Sequence, residues 1–561
     1  MTQTKTNPIV RVLPSLTDLA FLMPIIFLFA RLQGAKTMLG DGDTGWHIRI
    51  GEWMMAHGRV PDKDFFSFTK AGQPFYAWEW LWDLCFAWIY HHGGLATVVA
   101  ASIVVLSVTF ALLFRLVSRR CDNPFIAILA TFLACAVSSL HWLARPHLFT
   151  LLFVVILLFI LDRVEEGRPR WLLVLPPMTI LWTNLHGGFL ALFIVLAAYI
   201  AGEIAQALFT AEPEDRRRSL QRTKWYIATA FACAAATLVN PYTYHLHAHL
   251  IQYFSESFHM ENILEFQSIS FHNPAAVYLE IILLLAALGS IWLLGKHKQF
   301  VPAILVIGWA HLALLSARNI PLFGIVAAPI MAQALNEMLA ALRQARIAPW
   351  LQKAAAAFRN TALEFGENDR LWRTHLISIA AALVLTLLLA SPAATGKLKP
   401  EYDPQNYPSK ALAVLRANPN SRIFTDDEWG DYLIFNLYPG HKVFVDGRSD
   451  FYGQDFEQKY LDLMQAKYDW EQYLNRYQVD TIVLSTKTAL ATVIKESRNW
   501  RPIYDDSIAI VFTAVRDRAP ESEQVSTMAS GGKDRDPRIT KAAGRDPRIT
   551  ENSQLKGVYT Q

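Results

Sequence analysis

The sequence predicts a polytopic α-helical membrane protein with about eleven transmembrane helices and a C-terminal α/β domain outside the membrane. Hydrophobic residues make up 53% of the 561 residues and charged residues only 18%, and apolar runs long enough to cross a bilayer recur along the chain. After residue 391 the pattern changes to short β-like runs that alternate with helical ones. Such a chain is too apolar for a soluble protein and too long for a single anchor.

The predicted spans are placed by the length that a helix needs to cross the hydrocarbon core. The first run follows a polar start without a small-residue cleavage site, so we expect a retained span and a cytoplasmic N-terminus. Residues 1–391 form the predicted transmembrane domain, with its first external loop at 35–93. The spans are 15–34, 94–116, 124–141, 147–162, 171–184, 188–208, 225–240, 275–295, 300–316, 320–341 and 373–391.

The segment Phe75–Tyr90 decides the predicted topology. It is short and carries Glu79 and Asp83 among several tryptophans, a composition that favours the membrane interface over the bilayer centre. With this helix lying flat, most loop lysines and arginines, including Arg216–Lys224 and Arg343–Arg373, fall on one side. The positive-inside rule makes that side cytoplasmic.

With this topology, the unusual polar residues at the span ends all fall on the outer face. Ionisable groups there are costly unless they face a cavity or a ligand, so we predict one extracytoplasmic site. The residues are Asp41, Asp43, His47, Glu79, Asp83, Arg145, His147, Asn184, His186, the histidines of 241–250, Glu265, His272, Arg318 and Asn319.

Composition argues against several other classes of protein. The net charge of +4 gives no support to a nucleic-acid partner. The four cysteines have no regular spacing, which argues against a disulfide framework and a zinc site. A glycine-rich phosphate loop is absent from the sequence, so ATP-driven transport and nucleotide-sugar use both lack a motif.

The predicted extracytoplasmic α/β domain occupies residues 392–516. Its predicted strands are Arg422–Phe424, Lys442–Asp446, Asp480–Leu484 and Ile508–Ala514, and its predicted helices are Lys410–Ala417, Phe456–Ala466 and Trp470–Arg476. Residues 517–561 are rich in Ser, Gly, Lys, Asp and Arg, which predicts a disordered tail.

The first external loop has a distinctive order of segments. An amphipathic helical stretch runs from Asp43 to Gly58, and Val-Pro, Phe-Phe-Ser-Phe-Thr and the aromatic helix Trp78–Tyr90 follow it. This order resembles the first external loop of the glycosyltransferase C superfamily, in both the protein mannosyltransferase and aminoarabinose transferase branch and the oligosaccharyltransferase catalytic subunit. The resemblance implies an enzyme that uses a polyprenyl-phosphate-linked sugar, and it matches the loop aspartate of the family to Asp43.

Two further stretches add to the resemblance. The stretch Asp427–Leu433, followed by Val443–Arg448, is similar in placement to the Trp-Trp-Asp-Tyr-Gly region of oligosaccharyltransferase and the strand after it. The order of the matching residues differs, so recognition of an acceptor sequon is not implied. Arg318 lies at the outer end of a late span, where the superfamily commonly places an arginine that meets the lipid-linked phosphate.

The candidate residues suit this chemistry. Asp43 would serve as a general base for the acceptor, and Arg318, then Arg145, would hold the departing phosphate with a planar donor fork. The further substrate-binding candidates are His47, Glu79, Asn184 and His186. Structural alternatives stay open: Asp43 could cap its helix, the arginines could anchor span ends, and residues 184–188 could form a glycine turn.

A divalent metal is left open. Oxygen ligands from Asp41, Asp43 and Glu265 would suit Mg²⁺ or Mn²⁺ better than zinc. Glu265 lies in an external loop like the one from which oligosaccharyltransferase supplies a glutamate. The mannosyltransferase branch works without such a metal.

The predicted function is transfer of a sugar from a polyprenyl phosphate to an acceptor on the extracytoplasmic side of a bacterial inner membrane. The acceptor, whether protein, lipid or polysaccharide, cannot be read from the sequence, and the expected partners are membrane lipids and the donor, not nucleic acid. One alternative is a lipid-linked substrate transporter or flippase, in which charged residues would lie at mid-depth. Another is a non-catalytic membrane scaffold.

Overall fold

Apolar helices dominate the N-terminal part of the chain. In the computed structural model, which describes residues 12–342, 348–369 and 373–515, six helices are long and apolar enough to cross a membrane. They are Trp80–Arg120, Pro124–His141, His147–Glu165, Gly187–Phe209, Ala276–His297 and Ala317–Leu342. Shorter apolar helices are Leu16–Ala30, Phe300–Leu315 and Leu376–Ala390. The chain is therefore an integral membrane protein with multiple apolar helices.

Two further predicted spans coincide with helices that belong to neither of these groups. One is Leu175–Leu185, which follows the 3₁₀ turn Pro169–Val174. The other is Pro213–Ala236, which includes Arg216–Lys224, a segment predicted to be a loop. That loop prediction was wrong because Pro213 starts the helix and Arg218 pairs with two acids of the first turn.

The predicted cytoplasmic loop 343–373 also contains a helix, and smaller helices lie between the apolar ones. Pro349–Asp369 lies within that loop. The remaining helices and 3₁₀ turns described before residue 400 are Ala35–Met38, Asp43–His57, Tyr244–Ser255, Ser257–Asn262, Leu264–Phe266 and Gly396–Leu398.

The first external loop begins with the helix Asp43–His57, here called the loop helix. Its acidic first residue suits the positive end of the helix dipole, and it ends at Gly58 in the left-handed region. The next helix, Trp80–Arg120, is kinked at Gly93 and Gly94, where the backbone is not helical. This kink divides it into the two helices that the sequence predicts, an aromatic one and a second span.

Glycine allows the loop helix to pack closely against the kinked helix. A Cβ atom at Gly51 would lie 2.0 Å from the carbonyl oxygen of Asp83. Any larger residue would force the two helices apart, so this contact fixes the position of Asp83 beside the loop helix.

The C-terminal region contains a five-stranded mixed sheet. The strands are β1 Arg422–Phe424, β2 Lys442–Val443, β3 Thr481–Ser485, β4 Trp500–Asp505 and β5 Ala509–Ala514. Their order in the sheet is β2-β1-β3-β5-β4, with β1 parallel to β2 and β3, and β5 antiparallel to β3 and β4. The helices around them are Leu412–Arg416, Asp427–Leu437, Ser449–Tyr452, Gln454–Met464, Trp470–Arg476 and Ala489–Lys495. Apolar side chains of β1, β3 and β5 form a separate core with the flanking helices.

The first external loop is bound directly to this sheet. The amide of Val443 donates to the carbonyl of Phe66 at 3.2 Å, and the amide of Phe68 donates to Val443 at 3.1 Å. Nearby, buried Arg448 pairs with Asp64 and Asp446, each at 2.7 Å. The described residues up to Val515 form one compact unit, and the predicted tail at 517–561 lies outside the described residues.

Candidate active site

The start of the loop helix holds the segment that carries Arg145. The hydroxyl of Thr44 donates to the carbonyl of Ala144 at 3.1 Å, and the amide of Ala144 donates to the carbonyl of Met38 at 2.7 Å. These two bonds hold the chain just before the helix His147–Glu165. They place Arg145 beside Asp43, the first residue of the loop helix.

Arg145 binds three carboxylates that come from two other parts of the chain. Its Nη1 lies 2.7 Å from Oδ2 of Asp41 and 3.1 Å from Oε1 of Glu265, and its Nη2 pairs with Oδ2 of Asp43. We call these four residues the Arg145 cluster. The sequence placed all four on one face of the membrane, and the structure brings them into direct contact.

Hydrogen bonds between their two chain segments hold Glu265 close to Arg318. The hydroxyl of Ser316 donates to the carbonyl of Glu265 at 2.8 Å, and the amide of Ala317 donates to the carbonyl of Gln267 at 2.9 Å. The Nε atom of Arg318 lies 3.7 Å from Oε2 of Glu265. Arg318 therefore joins the edge of the Arg145 cluster.

The two arginines differ in how open they are. The side chain of Arg318 is 31% exposed, whereas that of Arg145 is 15% exposed. The guanidinium of Arg318 also lies 5.2 Å from the ring centre of Phe266, a cation–π contact. Arg318 is therefore the arginine with more surface available to a ligand.

The electrostatic surroundings give the acids of the cluster different pKa values. Burial alone would raise the pKa of Glu265, but Arg145 and Arg318 outweigh it and lower that pKa to about 2. Burial, opposed by Arg145 and reinforced by Asp43, raises the pKa of Asp41 to about 7. Glu265 therefore stays ionised at neutral pH, whereas Asp41 gains or loses its proton near pH 7.

A third aspartate reaches the cluster from the C-terminal region. Asp431 lies on the helix Asp427–Leu437, here called the acidic helix, whose N-cap Asp426 accepts from the amide of Trp429 at 2.8 Å. The side chain of Asp431 accepts from the amide of Gly447 at 2.9 Å and shares a hydrogen bond with Asp43. Burial and the Asp43 carboxylate raise the pKa of Asp431 well above its ordinary value.

Two glycines make this approach possible. A Cβ atom at Gly42 would lie 2.6 Å from Cβ of Asp431, and one at Gly447 would lie 2.5 Å from Oδ2 of Asp431 and 2.6 Å from Oδ1 of Asp43. Sequence reasoning missed Asp431 as a site residue. The signal was the stretch Asp427–Leu433, which the sequence analysis matched by placement to the Trp-Trp-Asp-Tyr-Gly region without connecting it to Asp43.

A chain of buried polar side chains lies behind the cluster. Nδ1 of His47 lies 2.6 Å from Oδ1 of Asp83, and Nε2 of His47 lies 3.3 Å from Oε2 of Glu79. The other carboxylate oxygen of Glu79 lies 3.4 Å from Nε2 of His186. The Trp46 ring stacks on His47 at 3.6 Å and donates to Asp43 at 3.2 Å, so it links this chain to the cluster.

Burial controls the charge of this chain. It raises the pKa of Glu79 to about 8, although Arg145 and Arg318 oppose the shift. Burial, together with the positive charge of Arg145, lowers the pKa of His47 well below its ordinary value. His47 is 1% exposed, so the structure places this predicted substrate contact inside the protein rather than on an open surface.

The other predicted residues are distributed around this centre. Asn184 accepts from the Trp80 indole at 2.7 Å and donates to the carbonyl of Val239 at 2.8 Å. Nε2 of His249 lies 2.9 Å from Oδ2 of Asp450. His272 is exposed, and its described contacts do not join it to the cluster.

A small cavity adjoins the buried chain. Its volume is about 10 Å³, room for about one water molecule. Aromatic and acidic side chains line it, among them Trp46, Tyr76, Trp78, Glu79 and Asp450. A water there would have polar neighbours on the side of Glu79 and Asp450.

The predicted metal ligands do not fit a divalent ion in this arrangement. Among the described residues, no group of three or more His, Cys, Asp and Glu side chains is placed to hold a metal. Asp41, Asp43 and Glu265 do converge, but they converge on the guanidinium of Arg145. One oxygen of this set, Oδ1 of Asp41, is buried without a hydrogen-bond partner among the described residues, whereas Mg²⁺ needs about six oxygen ligands.

Comparison with known proteins identifies the class of fold. No family model and no curated protein matches the chain. A crystal structure of the Archaeoglobus fulgidus oligosaccharyltransferase in complex with Zn and sulfate matches with a TM-score of 0.50 and 12% sequence identity. The match covers 84% of this chain and 68% of that chain. The chain therefore shares the fold of that oligosaccharyltransferase, a likeness that agrees with the resemblance of the first loop.

Proposed function

We propose that this protein is a membrane glycosyltransferase that moves a sugar from a polyprenyl-phosphate-linked donor to an acceptor on the extracytoplasmic side. The observation that carries the proposal is a carboxylate, Asp43, and a partly exposed guanidinium, Arg318, joined through Glu265 and Arg145 in one cluster. The oligosaccharyltransferase-like fold supports it. Extracytoplasmic orientation and about eleven spans belong to the same proposal.

Asp43 is the proposed base. One of its oxygens pairs with Arg145, and the other accepts from Trp46 and faces Asp431. These contacts fix the carboxylate, as a base needs when it must lie within hydrogen-bonding reach of an acceptor hydroxyl. The helix-capping alternative is compatible with this role because Asp43 also opens the loop helix.

Arg318 is the proposed phosphate contact. It is more exposed than Arg145, whose two terminal nitrogens are already taken by carboxylates. A guanidinium stays charged near lipid and donates in pairs to phosphate oxygens. Arg145 therefore acts on Asp43, and Arg318 acts on the leaving group.

The proposed transfer balances as a single displacement. The acceptor oxygen attacks the anomeric carbon, its proton passes to the Asp43 carboxylate, and the bond between that carbon and the phosphate oxygen breaks. The electron pair of this bond leaves with the polyprenyl phosphate, whose negative charge Arg318 stabilises. Attack opposite the leaving group inverts the anomeric carbon. Contact of Glu79, Asn184 or His186 with the sugar remains a prediction.

The test is sugar transfer by purified protein in detergent, from a panel of polyprenyl phosphate sugars. Asp43→Asn is compared with wild type and with Asp62→Asn, a control in the same loop whose side chain is 63% exposed. We expect Asp43→Asn to lose transfer by about 10²-fold or more, and Asp62→Asn to keep it. Binding of donors without any sugar release would favour a transporter, and equal transfer by Asp43→Asn would remove Asp43 from the mechanism.

A further inference from the structure

We propose that Arg145 is a built-in cation that fills the place of a divalent metal between Asp41, Asp43 and Glu265, so that the reaction needs no metal ion. The inference rests on the proposed function for its catalytic meaning. The occupancy of the site does not depend on that function: the three carboxylates form a cation site, and the side chain of Arg145 occupies it.

Arg145 joins carboxylates that are distant in the sequence. Residues 41–43, 145 and 265 come from three separate parts of the chain, and they meet at one guanidinium. Binding carboxylates from different segments around one positive centre is what a divalent cation does in an oxygen-rich site. Arg145 performs the same linkage with covalently attached charge.

Donors already occupy most of the carboxylate oxygens of the cluster. Arg145 meets Oδ2 of Asp41, Oδ2 of Asp43 and Oε1 of Glu265. Trp46 donates to Oδ1 of Asp43, and Arg318 faces Oε2 of Glu265. Five of the six oxygens are therefore occupied, and Oδ1 of Asp41 is the sixth. A metal ion would have to displace these donors.

Without Arg145, the cluster would carry excess negative charge. Three carboxylates with limited exposure would lose their main positive partner, and uncompensated buried charge is strongly unfavourable. Carboxylate oxygens are the ligands that Mn²⁺ and Mg²⁺ prefer. Replacing Arg145 with a neutral side chain should therefore convert the cluster into a real metal site.

This role makes Arg145 a positioning residue, because it acts on the reaction through Asp43. It also separates the two arginines by function. Arg145 holds the base, and Arg318 is left for the phosphate. Loss of Arg145 should therefore lower the rate of transfer more than it lowers the affinity for the donor.

The experiment measures Mn²⁺ binding by electron paramagnetic resonance in detergent, with chelator-treated protein. Wild type should bind no Mn²⁺ that depends on Asp41 at up to millimolar concentration. Arg145→Met should bind about one ion per chain and at least ten times more tightly than wild type, and a second substitution, Asp41→Asn, should abolish that binding. Arg318→Met is the matched control, since it removes a guanidinium at the edge of the cluster and should create no site.

The outcomes are decisive in both directions. A single Mn²⁺ on wild type that Asp41→Asn removes would overturn the proposal, and so would an Arg145→Met protein that binds none. Arg145→Gln is the second variant, held to the same outcomes, in case methionine at this position prevents folding.

Transfer assays add a second readout. Activity of wild type should resist chelator, and Mn²⁺ should partly restore the activity of Arg145→Met. If no donor is turned over at all, the proposed function fails while the Mn²⁺ binding result still decides the role of Arg145. If wild-type transfer occurs but needs a metal, the function stands and the built-in cation is wrong.

Discussion

Asp431 shares a hydrogen bond between carboxyl groups with Asp43, although the two residues belong to the C-terminal region and the first external loop. Two carboxylates this close do not both ionise readily, and one of them keeps a proton. Because burial and Asp43 raise the pKa of Asp431 well above its ordinary value, Asp431 is the member that keeps this proton.

The first prediction follows from this pair. Asp431→Asn keeps the shape and the neutral charge of the protonated acid, so transfer at pH 7 should stay within about tenfold of wild type. At alkaline pH the variant should outlast wild type, because it cannot place a second negative charge beside Asp43. The pH profile of transfer measures this. Asp455→Asn, at an exposed position, is the control, and an Asp431→Asn protein inactive at every pH would contradict the assignment.

The second prediction concerns stability at alkaline pH. The folded-state pKa of Glu79 is raised to about 8, so its proton stabilises the fold fully below the unfolded pKa, near 4.5. That contribution declines as the pH rises through 8. The thermal midpoint of wild type in detergent should therefore fall between pH 6 and pH 9, and Glu79→Gln should flatten the fall. Glu214→Gln, at an exposed position, should leave the profile unchanged.

The third prediction has the opposite sign. Arg145 and Arg318, working against burial, lower the pKa of Glu265 to about 2. Its ionised form therefore stabilises the fold above the unfolded pKa, near 4.5, and this contribution is lost as the pH falls towards 2. Glu265→Gln should lower the thermal midpoint at pH 7, with a loss of about 1–3 kcal/mol, and should weaken the dependence on acid. Glu261→Gln, exposed in the same loop, serves as the comparison, and equal midpoints for the two variants would refute the ion pairs.

The fourth prediction tests the phosphate contact. Arg318→Ala should weaken binding of a polyprenyl phosphate by about tenfold to a hundredfold, the loss expected for a charge-assisted hydrogen bond. Arg318→Lys should recover part of the affinity because it keeps the charge without the planar fork. Equilibrium binding of a fluorescent donor measures both. Arg59→Ala removes a guanidinium that is 62% exposed in the first loop and should have little effect.

The fifth prediction concerns orientation. The test uses a variant that lacks the exposed Cys85. In this variant Tyr468→Cys, at a fully exposed position in the C-terminal region, should react with an impermeant maleimide added outside intact cells. Arg217→Cys, exposed on the helix Pro213–Ala236, should react only after the membrane has been permeabilised. The reverse pattern would invert the proposed topology.

Local signals in the sequence predicted the elements of the fold more successfully than their assembly. An acid at the start and a glycine at the end were enough to place the loop helix from Asp43 to Gly58. Strand β4 was missed because Pro502 and its exposed neighbours lack an alternating pattern, as befits the edge of the sheet. The predicted strand Lys442–Asp446 is shorter in the structure, where β2 ends at Val443.

Contacts between residues that are far apart in the sequence were not predicted in the site either. Sequence reasoning gathered Arg145 and Glu265 on one face, but their contact joins residues 120 positions apart and leaves no trace in spacing. It also named His47 as a substrate-binding candidate, but it could not predict that this histidine is buried. The two acids that contact His47 are Glu79 and Asp83, at the start of the next helix. That helix lies close because Gly51 has no side chain where it meets Asp83.

The joining of Asp43 to Asp431 has a consequence for how the protein is made. Ribosomes synthesise the loop helix early and the acidic helix only after the last apolar helix, Leu376–Ala390. The aspartate pair therefore cannot form until the acidic helix has left the ribosome, after all of the apolar helices. The nascent chain carries an unfinished centre throughout insertion, and the C-terminal region completes it in the final stage of synthesis.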